Sequence, residues 1–186
     1  MGDDRDRLLD AGLAVVVDHG VRGLTHEAVD AAAGLAPGSA EAAFPTPKVL
    51  LEGVTQRCIE RELSMAALVT GEVEASADGL AALLGQFAHR ALGEDRIVTL
   101  ARYALQSEAA QNPDLRVHYA VGADEVDTWA VDLVRRAGSS HPERDMGILA
   151  NYMTGLVFHE LALPTPGFDA PARARAVIDT LGWSSP

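Results

Sequence analysis

The chain has 186 residues, of which 48% are apolar, and its formal net charge at pH 7 is −12. This composition supports a buried core and excludes a disordered chain, and the acidic charge argues against broad nonspecific binding to nucleic acid or anionic membranes. A single cysteine, Cys58, excludes an internal disulfide framework, and no apolar run approaches the roughly 18 residues that a membrane span needs. Because no signal-peptide pattern opens the chain, we expect a soluble, cytoplasmic protein without a membrane partner.

Apolar residues with helical spacing predict three short helices in the first 44 residues. The first ends at Gly20, and Thr25 is a good N-cap for a second helix that Gly34 ends. Pro37 suits the first turn of a short third helix that ends around Phe44. This succession of helix, turn and short helix is the rhythm of a helix-turn-helix.

Longer helices follow in the rest of the chain. Thr46 can cap a fourth helix with Pro47 at its first position. Five more helices are predicted over residues 77–92, 94–111, 114–137, 142–163 and 171–181. The predicted fold is therefore all-α with about nine helices. It divides into an N-terminal three-helix domain, residues 1–47, and a larger helical domain, residues 48–186.

The stretch HGVRGLTHEAVDAAAGLAPGSAEAAFPTPKVLLEGV resembles the N-terminal region of the tetracycline-repressor (TetR) family, in particular a subgroup from high-GC actinobacteria. Two later segments, LARYALQSEAAQNPDLR and TGLVFHELALP, resemble parts of the larger domain in that group. The resemblance implies a homodimer whose second and third helices read a palindromic operator. It also implies that the larger domain dimerises and binds a small effector.

The departures from the family pattern lie on the DNA side. Relatives usually place an aromatic or polar residue where Glu41 to Ala43 stand, and Lys or Arg near Pro47. Glu27 stands where a basic residue often follows the Thr-His pair. Residues 1–48 contain four basic and eight acidic side chains, a net charge of −4. Because phosphate neutralisation supplies most nonspecific affinity for DNA, we expect a degraded recognition helix and weak operator binding.

Five positions remain as candidates for DNA contact. Hydroxyl groups and helix-terminal amides can donate to phosphate, and an ammonium group can neutralise it. Thr25 and Gly38 have an equally good explanation as a helix cap and a turn residue. The predicted DNA-binding residues are Thr25, His26, Gly38, Ser39 and Lys48.

The larger domain offers candidates for an effector site and for a dimer contact. Effector sites inside helical bundles are mostly apolar with a few polar groups, although each candidate also suits an ordinary core or surface position. The predicted effector-binding residues are Phe87, Tyr103, Gln106, His118, Trp129 and Tyr152, with His159 as a further candidate. The resemblance places the dimer contact on the last two helices, although two amphipathic helices at this position could equally belong to the core. The predicted dimer residues are Met146, Leu149, Met153, Leu156, Ala172 and Ala176.

No pattern indicates an enzyme, a metal site or a cofactor. The six histidines have no metal-ligand spacing, and the chain lacks a nucleophile elbow and a phosphate-binding glycine-rich loop. The leading hypothesis is a ligand-responsive transcriptional regulator, in the usual case a repressor, that binds operator DNA as a homodimer. The alternative is a TetR-like protein that has lost direct DNA binding and acts as a small-molecule-binding or heterodimerising module.

Overall fold

The structure, a computed structural model, describes residues 2–69, 74–121 and 124–183. These residues form ten α-helices and one short 3₁₀ helix, Val21–Gly23, and contain no strand. The helices are α1 (Gly2–His19), α2 (His26–Ala33), α3 (Ser39–Ala43), α4 (Pro47–Val69), α5 (Ala77–Leu92), α6 (Arg96–Gln111), α7 (Pro113–Val121), α8 (Asp124–Arg136), α9 (Pro142–Ala162) and α10 (Ala170–Thr180).

The all-α prediction is confirmed, and most helix ends fall within two residues of their predicted positions. The helix predicted over residues 114–137 is two helices, α7 and α8, and residues 122–123 between them lie outside the described residues. The described residues hold ten helices, where about nine were predicted. The 3₁₀ helix was also not predicted.

The helices form two compact units. Unit 1 comprises Met1–Glu62 and Ile97–Gly122, and unit 2 comprises Leu63–Arg96 and Ala123–Pro186. Each unit is a set of segments that pack against one another within the chain. The predicted boundary after residue 47, between a DNA-binding domain and an effector domain, stays a prediction.

The core of unit 1 joins the three N-terminal helices to α4 and α6. Phe44, at the end of α3, is fully buried with Leu50 and Val54 of α4. Val98 and Leu105 of α6 belong to the same apolar cluster. Full burial of one such side chain stabilises the fold by about 1.5–3 kcal/mol, so this cluster fixes where α3 lies.

An ion pair also fixes α4 against α1. Arg57 donates two hydrogen bonds to the Asp10 carboxylate, from Nε at 2.8 Å and from Nη2 at 2.9 Å. The hydrogen bonding from Arg57 holds the pKa of Asp10 below its ordinary value. A bidentate pair of this kind sets orientation as well as distance.

Unit 2 contains α5, α8, α9 and α10. Leu80 and Leu83 of α5, Leu149 and Met153 of α9 and Ile178 of α10 are buried in it. The buried Asp145 carboxylate near the start of α9 accepts hydrogen bonds from Ser139 Oγ at 2.5 Å and Trp183 Nε1 at 2.8 Å. These bonds hold the loop before α9 and the segment after α10 to the same carboxylate.

Candidate functional site

The turn between α2 and α3 is organised by the buried carboxylate of Asp30. Its oxygens accept hydrogen bonds from the backbone N–H groups of Gly38 and Ala40, each at 2.7 Å. Gly34 ends α2 at φ 61° and Gly38 precedes α3 at φ 90°, a left-handed region that other residues seldom adopt. Asp30 therefore sets the geometry of the helix-turn-helix and is not a free charge facing DNA. In the sequence alone, Asp30 is one of the eight acidic side chains of residues 1–48 that oppose DNA binding.

The other end of α3 is held by side chains from α1 and α2. His26 Nε2 lies 2.6 Å from the Phe44 carbonyl oxygen, so this imidazole bonds the C-terminus of α3. Arg5 donates to the Ala43 carbonyl at 3.2 Å and stacks over the Phe44 ring at 4.3 Å. Two side chains that could have contacted phosphate are thus engaged in positioning α3.

Three further predicted DNA-binding residues also have partners within the chain. Thr25 Oγ1 accepts from the Ala28 N–H at 3.2 Å and caps α2, as predicted. Ser39 Oγ donates to the Ala36 carbonyl at 2.6 Å. The Gly38 N–H is taken by Asp30. The structure gathers all five predicted residues in unit 1, and their contact with DNA stays a prediction.

The exposed surface of α3 is formed by small and acidic side chains. Glu41 and Ala42 are exposed, whereas Ala40 is buried. A groove of about 520 Å³ lies beside them, lined by Asp4, Arg5 and Leu8 of α1, Leu35 of the turn and Ser39, Ala42 and Ala43 of α3. The alanines leave this space open where a larger side chain would project from the helix.

Lys48 is the only Lys or Arg between residues 23 and 56. Its Nζ lies 2.6 Å from an Asp114 oxygen at the start of α7 and 3.9 Å from a Glu52 oxygen. The hydrogen bond with Asp114 raises the pKa of Lys48 and lowers the pKa of Asp114. Both groups are therefore charged at neutral pH, and Lys48 is already paired within the chain.

A buried polar cluster lies where α4, α6 and α7 meet in unit 1. Arg102 Nε is 2.9 Å from Glu62 Oε1, and burial raises the pKa of Glu62 to about 7. The Tyr119 hydroxyl is buried without a hydrogen-bond partner among the described residues, and burial raises its pKa. Cys58 Sγ donates to the Val98 carbonyl at 3.7 Å, and burial raises the pKa of this thiol, which therefore stays protonated. Buried polar groups with unused hydrogen-bonding capacity are a common feature of ligand sites.

Only the edge of this cluster was predicted from the sequence. Tyr103, a predicted effector-binding residue, lies under the Arg102 guanidinium at 4.5 Å. Glu62, Arg102 and Tyr119 were missed, although Glu62 stands four residues after Cys58 on the apolar face of α4. A charged residue at an apolar position of a helix was the available signal.

The other predicted effector residues are divided between the two units. Gln106 and His118 lie with Tyr103 in unit 1, and the remaining three lie in unit 2. Gln106 is exposed, and so are His159 and Trp129, the latter at 37%. A groove of about 870 Å³ in unit 2 is lined by residues of α5, the α9–α10 connection and α10, and by none of the predicted residues.

The predicted dimer contact needs a correction. Leu149 and Met153 are only 1% and 3% exposed, because they face the core of their own unit. They cannot form the surface that a second copy would touch. The opposite face of α9 is exposed and carries Ile148, Asn151, Gly155, Phe158 and Ala162. Met146 and Leu156 are half-buried, whereas Ala172 and Ala176 are exposed on α10.

Neither a metal site nor a membrane span is found in the part of the chain that the structure describes. No group of three or more His, Cys, Asp or Glu side chains is arranged there to hold an ion. None of the described helices is both long and apolar enough to cross a bilayer.

Comparison with known proteins identifies the family. The family model for the tetracycline-repressor-like C-terminal domain matches residues 75–182, more than half of the chain. The chain therefore belongs to the TetR family of transcriptional regulators. The search of curated proteins found no significant match.

Several solved structures are similar to this chain over nearly its whole length. The multidrug binding protein EbrR in complex with imidazole is 27% identical, with a TM-score of 0.66 over 98% of this chain and 96% of that one. A TetR-family protein from Streptomyces coelicolor A3 is 25% identical, with a TM-score of 0.73 over 96% and 97%. A transcriptional regulator from Rhodococcus sp. Rha1, 20% identical over 95% and 92% of the two chains, shares the fold with a TM-score of 0.76.

Proposed function

We propose that this protein is a ligand-responsive transcriptional regulator, in the usual case a repressor, that binds operator DNA as a homodimer. The observation that carries the proposal is the intact helix-turn-helix. Asp30 holds the entry to α3 with two hydrogen bonds, and His26 and Arg5 hold its exit. A protein that only used the family's larger domain would not need α3 to be fixed at both ends.

The DNA contacts that this surface supports are few. Lys48 and Arg22 are the exposed cations closest in sequence to α2 and α3, and Thr25 and Ser39 offer hydroxyl groups. On α3, an exposed alanine can contact a thymine methyl group, and Glu41 can accept from a cytosine amino group. Base reading is therefore limited, and we expect an operator affinity at the weak end of the range for specific regulators.

A small molecule is the proposed effector, and EbrR supports this part of the proposal because it binds imidazole, proflavin and ethidium. The cluster of Glu62, Arg102 and Tyr119 is the proposed polar end of the site. Of the six residues predicted from the sequence, Tyr103, Gln106 and His118 lie in the same unit as this cluster and stay candidates for the walls of that site. Phe87, Trp129 and Tyr152 lie in unit 2 and stay separate candidates for effector contact.

We propose that the dimer contact is formed by the exposed face of α9 from Ile148 to Ala162, together with Ala172 and Ala176 of α10. Ile148 is 39% exposed and Phe158 is 55% exposed, which is unusual for two large apolar side chains on one helix face. A two-fold contact would cover both copies of the face at once. A cytoplasmic location and the absence of enzymatic activity complete the proposal.

Selection from a random DNA library with the purified dimer tests this function. The proposal predicts enrichment of a palindrome whose half-sites lie about one helical turn apart. The variant Asp30→Ala, which loses the bonds that position α3, is the matched control and should enrich nothing. If the wild type also enriches nothing, direct operator binding is excluded.

The second candidate function is a regulator without direct DNA binding, which acts as a small-molecule-binding module or through a DNA-competent heterodimer partner. The engagement of Lys48 by Asp114 favours it, because no other Lys or Arg lies between residues 23 and 56. A selection without enrichment, combined with a ligand-induced rise in melting temperature, would support this candidate.

A further inference from the structure

The contact between Lys48 and Asp114 joins the first turn of α4 to the first turn of α7 within unit 1. The two residues are 66 positions apart in the chain, and their charged atoms lie 2.6 Å apart. Both side chains are about two-thirds exposed, at 63% and 64%. The Lys48 ammonium is therefore accessible to another anion, but Asp114 already occupies it.

Asp114 is held in place by the helix that carries it. Its own N–H donates to Asn112 Oδ1 at 3.2 Å, and the next residue, Leu115, is buried at 1% exposure. Arg116 Nε donates to the Ala109 carbonyl of α6 at 3.1 Å. Because α7 is anchored on both sides of Asp114, the carboxylate is presented to Lys48 from a fixed backbone.

The helix ends add to the attraction between the two groups. A cation in the first turn of a helix is disfavoured by the helix dipole, and an anion there is favoured. Lys48 stands at the second residue of α4, so it gains from a carboxylate partner, while Asp114 stands at the favoured end of α7.

We propose that Asp114 is an intramolecular competitor of DNA phosphate for Lys48. The carboxylate occupies the ammonium group that would otherwise contact the DNA backbone, so the contact lowers the affinity of the helix-turn-helix for DNA. This inference rests on the proposed DNA binding and adds its regulation. The helix α7 also carries Tyr119 of the buried polar cluster, so the element that holds Lys48 borders the proposed effector site.

Competition of this kind has a signature in the salt dependence of binding. A free Lys48 that contacts phosphate releases a counterion from DNA, which steepens the slope of log K against log salt by roughly 0.9 per contact. While Asp114 holds Lys48, this ammonium group contacts no phosphate and releases no counterion from DNA. Removing the charge of Asp114 should therefore steepen the slope by roughly 1.8 for a dimer.

The test measures binding of a fluorescent 30-base-pair mixed-sequence duplex by anisotropy over a salt series. The variant Asp114→Asn should bind on the order of 2–30-fold more tightly than wild type, the range for two exposed ion pairs, with the steeper slope. Asp78→Asn is the matched control. Asp78 also lies in the first turn of a helix and pairs with Arg175 at 2.8 Å. Its replacement by Asn changes the net charge of the protein by the same amount.

The gain must also disappear when Lys48 is removed. Adding Lys48→Gln to Asp114→Asn should return both affinity and slope to the values of Lys48→Gln alone, and circular dichroism should show that all variants fold. If the wild type binds and Asp114→Asn behaves like Asp78→Asn, the competition is refuted while the proposed function stands. If Asp114→Asn binds and the wild type does not, the competition is supported and native DNA binding is switched off. If no variant binds the duplex, the competition is refuted, and the selection from the random DNA library decides the proposed function separately.

Discussion

Replacing Asp30 with alanine tests the claim that this carboxylate positions α3. Asp30 is 4% exposed, and its two oxygens accept the N–H groups of Gly38 and Ala40. The substitution removes both acceptors at the start of α3, while the bonds of His26 and Arg5 at its end remain.

The expected loss follows from the exposure of the two amides. Ala40 is fully buried, so its N–H would stay unsatisfied, at a cost of about 1–3 kcal/mol. Gly38 is exposed, so water can replace its partner, and only the net value of a charge-assisted bond, about 1.5 kcal/mol or somewhat more, is lost. We therefore expect a destabilisation of about 3 kcal/mol.

Hydrogen exchange of the Ala40 amide is the appropriate assay, because both tryptophans, Trp129 and Trp183, lie in unit 2. A loss of about 3 kcal/mol corresponds to a roughly hundred-fold loss of protection if this amide exchanges by local opening. Asp18→Ala, at an exposed position near the end of α1, is the control and should change protection less than about two-fold. Equal protection in the two variants would show that Asp30 does not hold the turn.

Three further predictions concern the dimer, the buried cluster and α3. Phe158→Glu should convert the dimer to folded monomers, as measured by light scattering. Met153→Glu should instead unfold unit 2, because Met153 is buried in its core. A compact wild-type monomer at micromolar concentration would refute the proposed interface. Because the pKa of Glu62 rises from 4.5 to about 7, its ionisation should reduce the unfolding free energy between pH 5 and pH 7.5 by up to roughly 3 kcal/mol. As pH rises over that range, the unfolding free energy of Glu62→Gln, measured by urea titration, should therefore increase relative to that of the wild type. A difference that does not change with pH would contradict a raised pKa for Glu62. The double change Glu41→Tyr and Pro47→Lys should strengthen binding to the selected operator. It should also steepen the slope of log K against log salt by roughly 0.9 per new phosphate contact. An unchanged slope would show that residue 47 does not reach phosphate.

The helix ends could be predicted because their causes are local. Thr25 caps α2 through a hydroxyl three residues from its partner, and Gly34 ends the same helix in a left-handed conformation. Proline after Asn112 ends α6 at the predicted residue. Such signals depend on neighbouring residues and therefore need no knowledge of tertiary structure.

The candidate sites were harder to predict because they join distant segments. Asp30 gains its partners only after the turn has brought Gly38 and Ala40 to it, and Lys48 meets Asp114 across 66 residues. On α9 the apolar residues occupy more than one face, and packing decides which of them are covered. The most apolar positions face the core, so the exposed face had to be read from the structure.

The measurement that tests the central account most directly is the salt dependence of wild-type binding to its selected operator. This TetR-family regulator has an intact helix-turn-helix but offers few groups that can contact phosphate. Two copies of Arg22 alone predict a slope of log K against log salt near −1.8, and two copies of both Arg22 and Lys48 predict about −3.6. A slope between these values would support the account. Nanomolar affinity at physiological salt with a slope steeper than about −5.4, the value for six phosphate contacts, would contradict it.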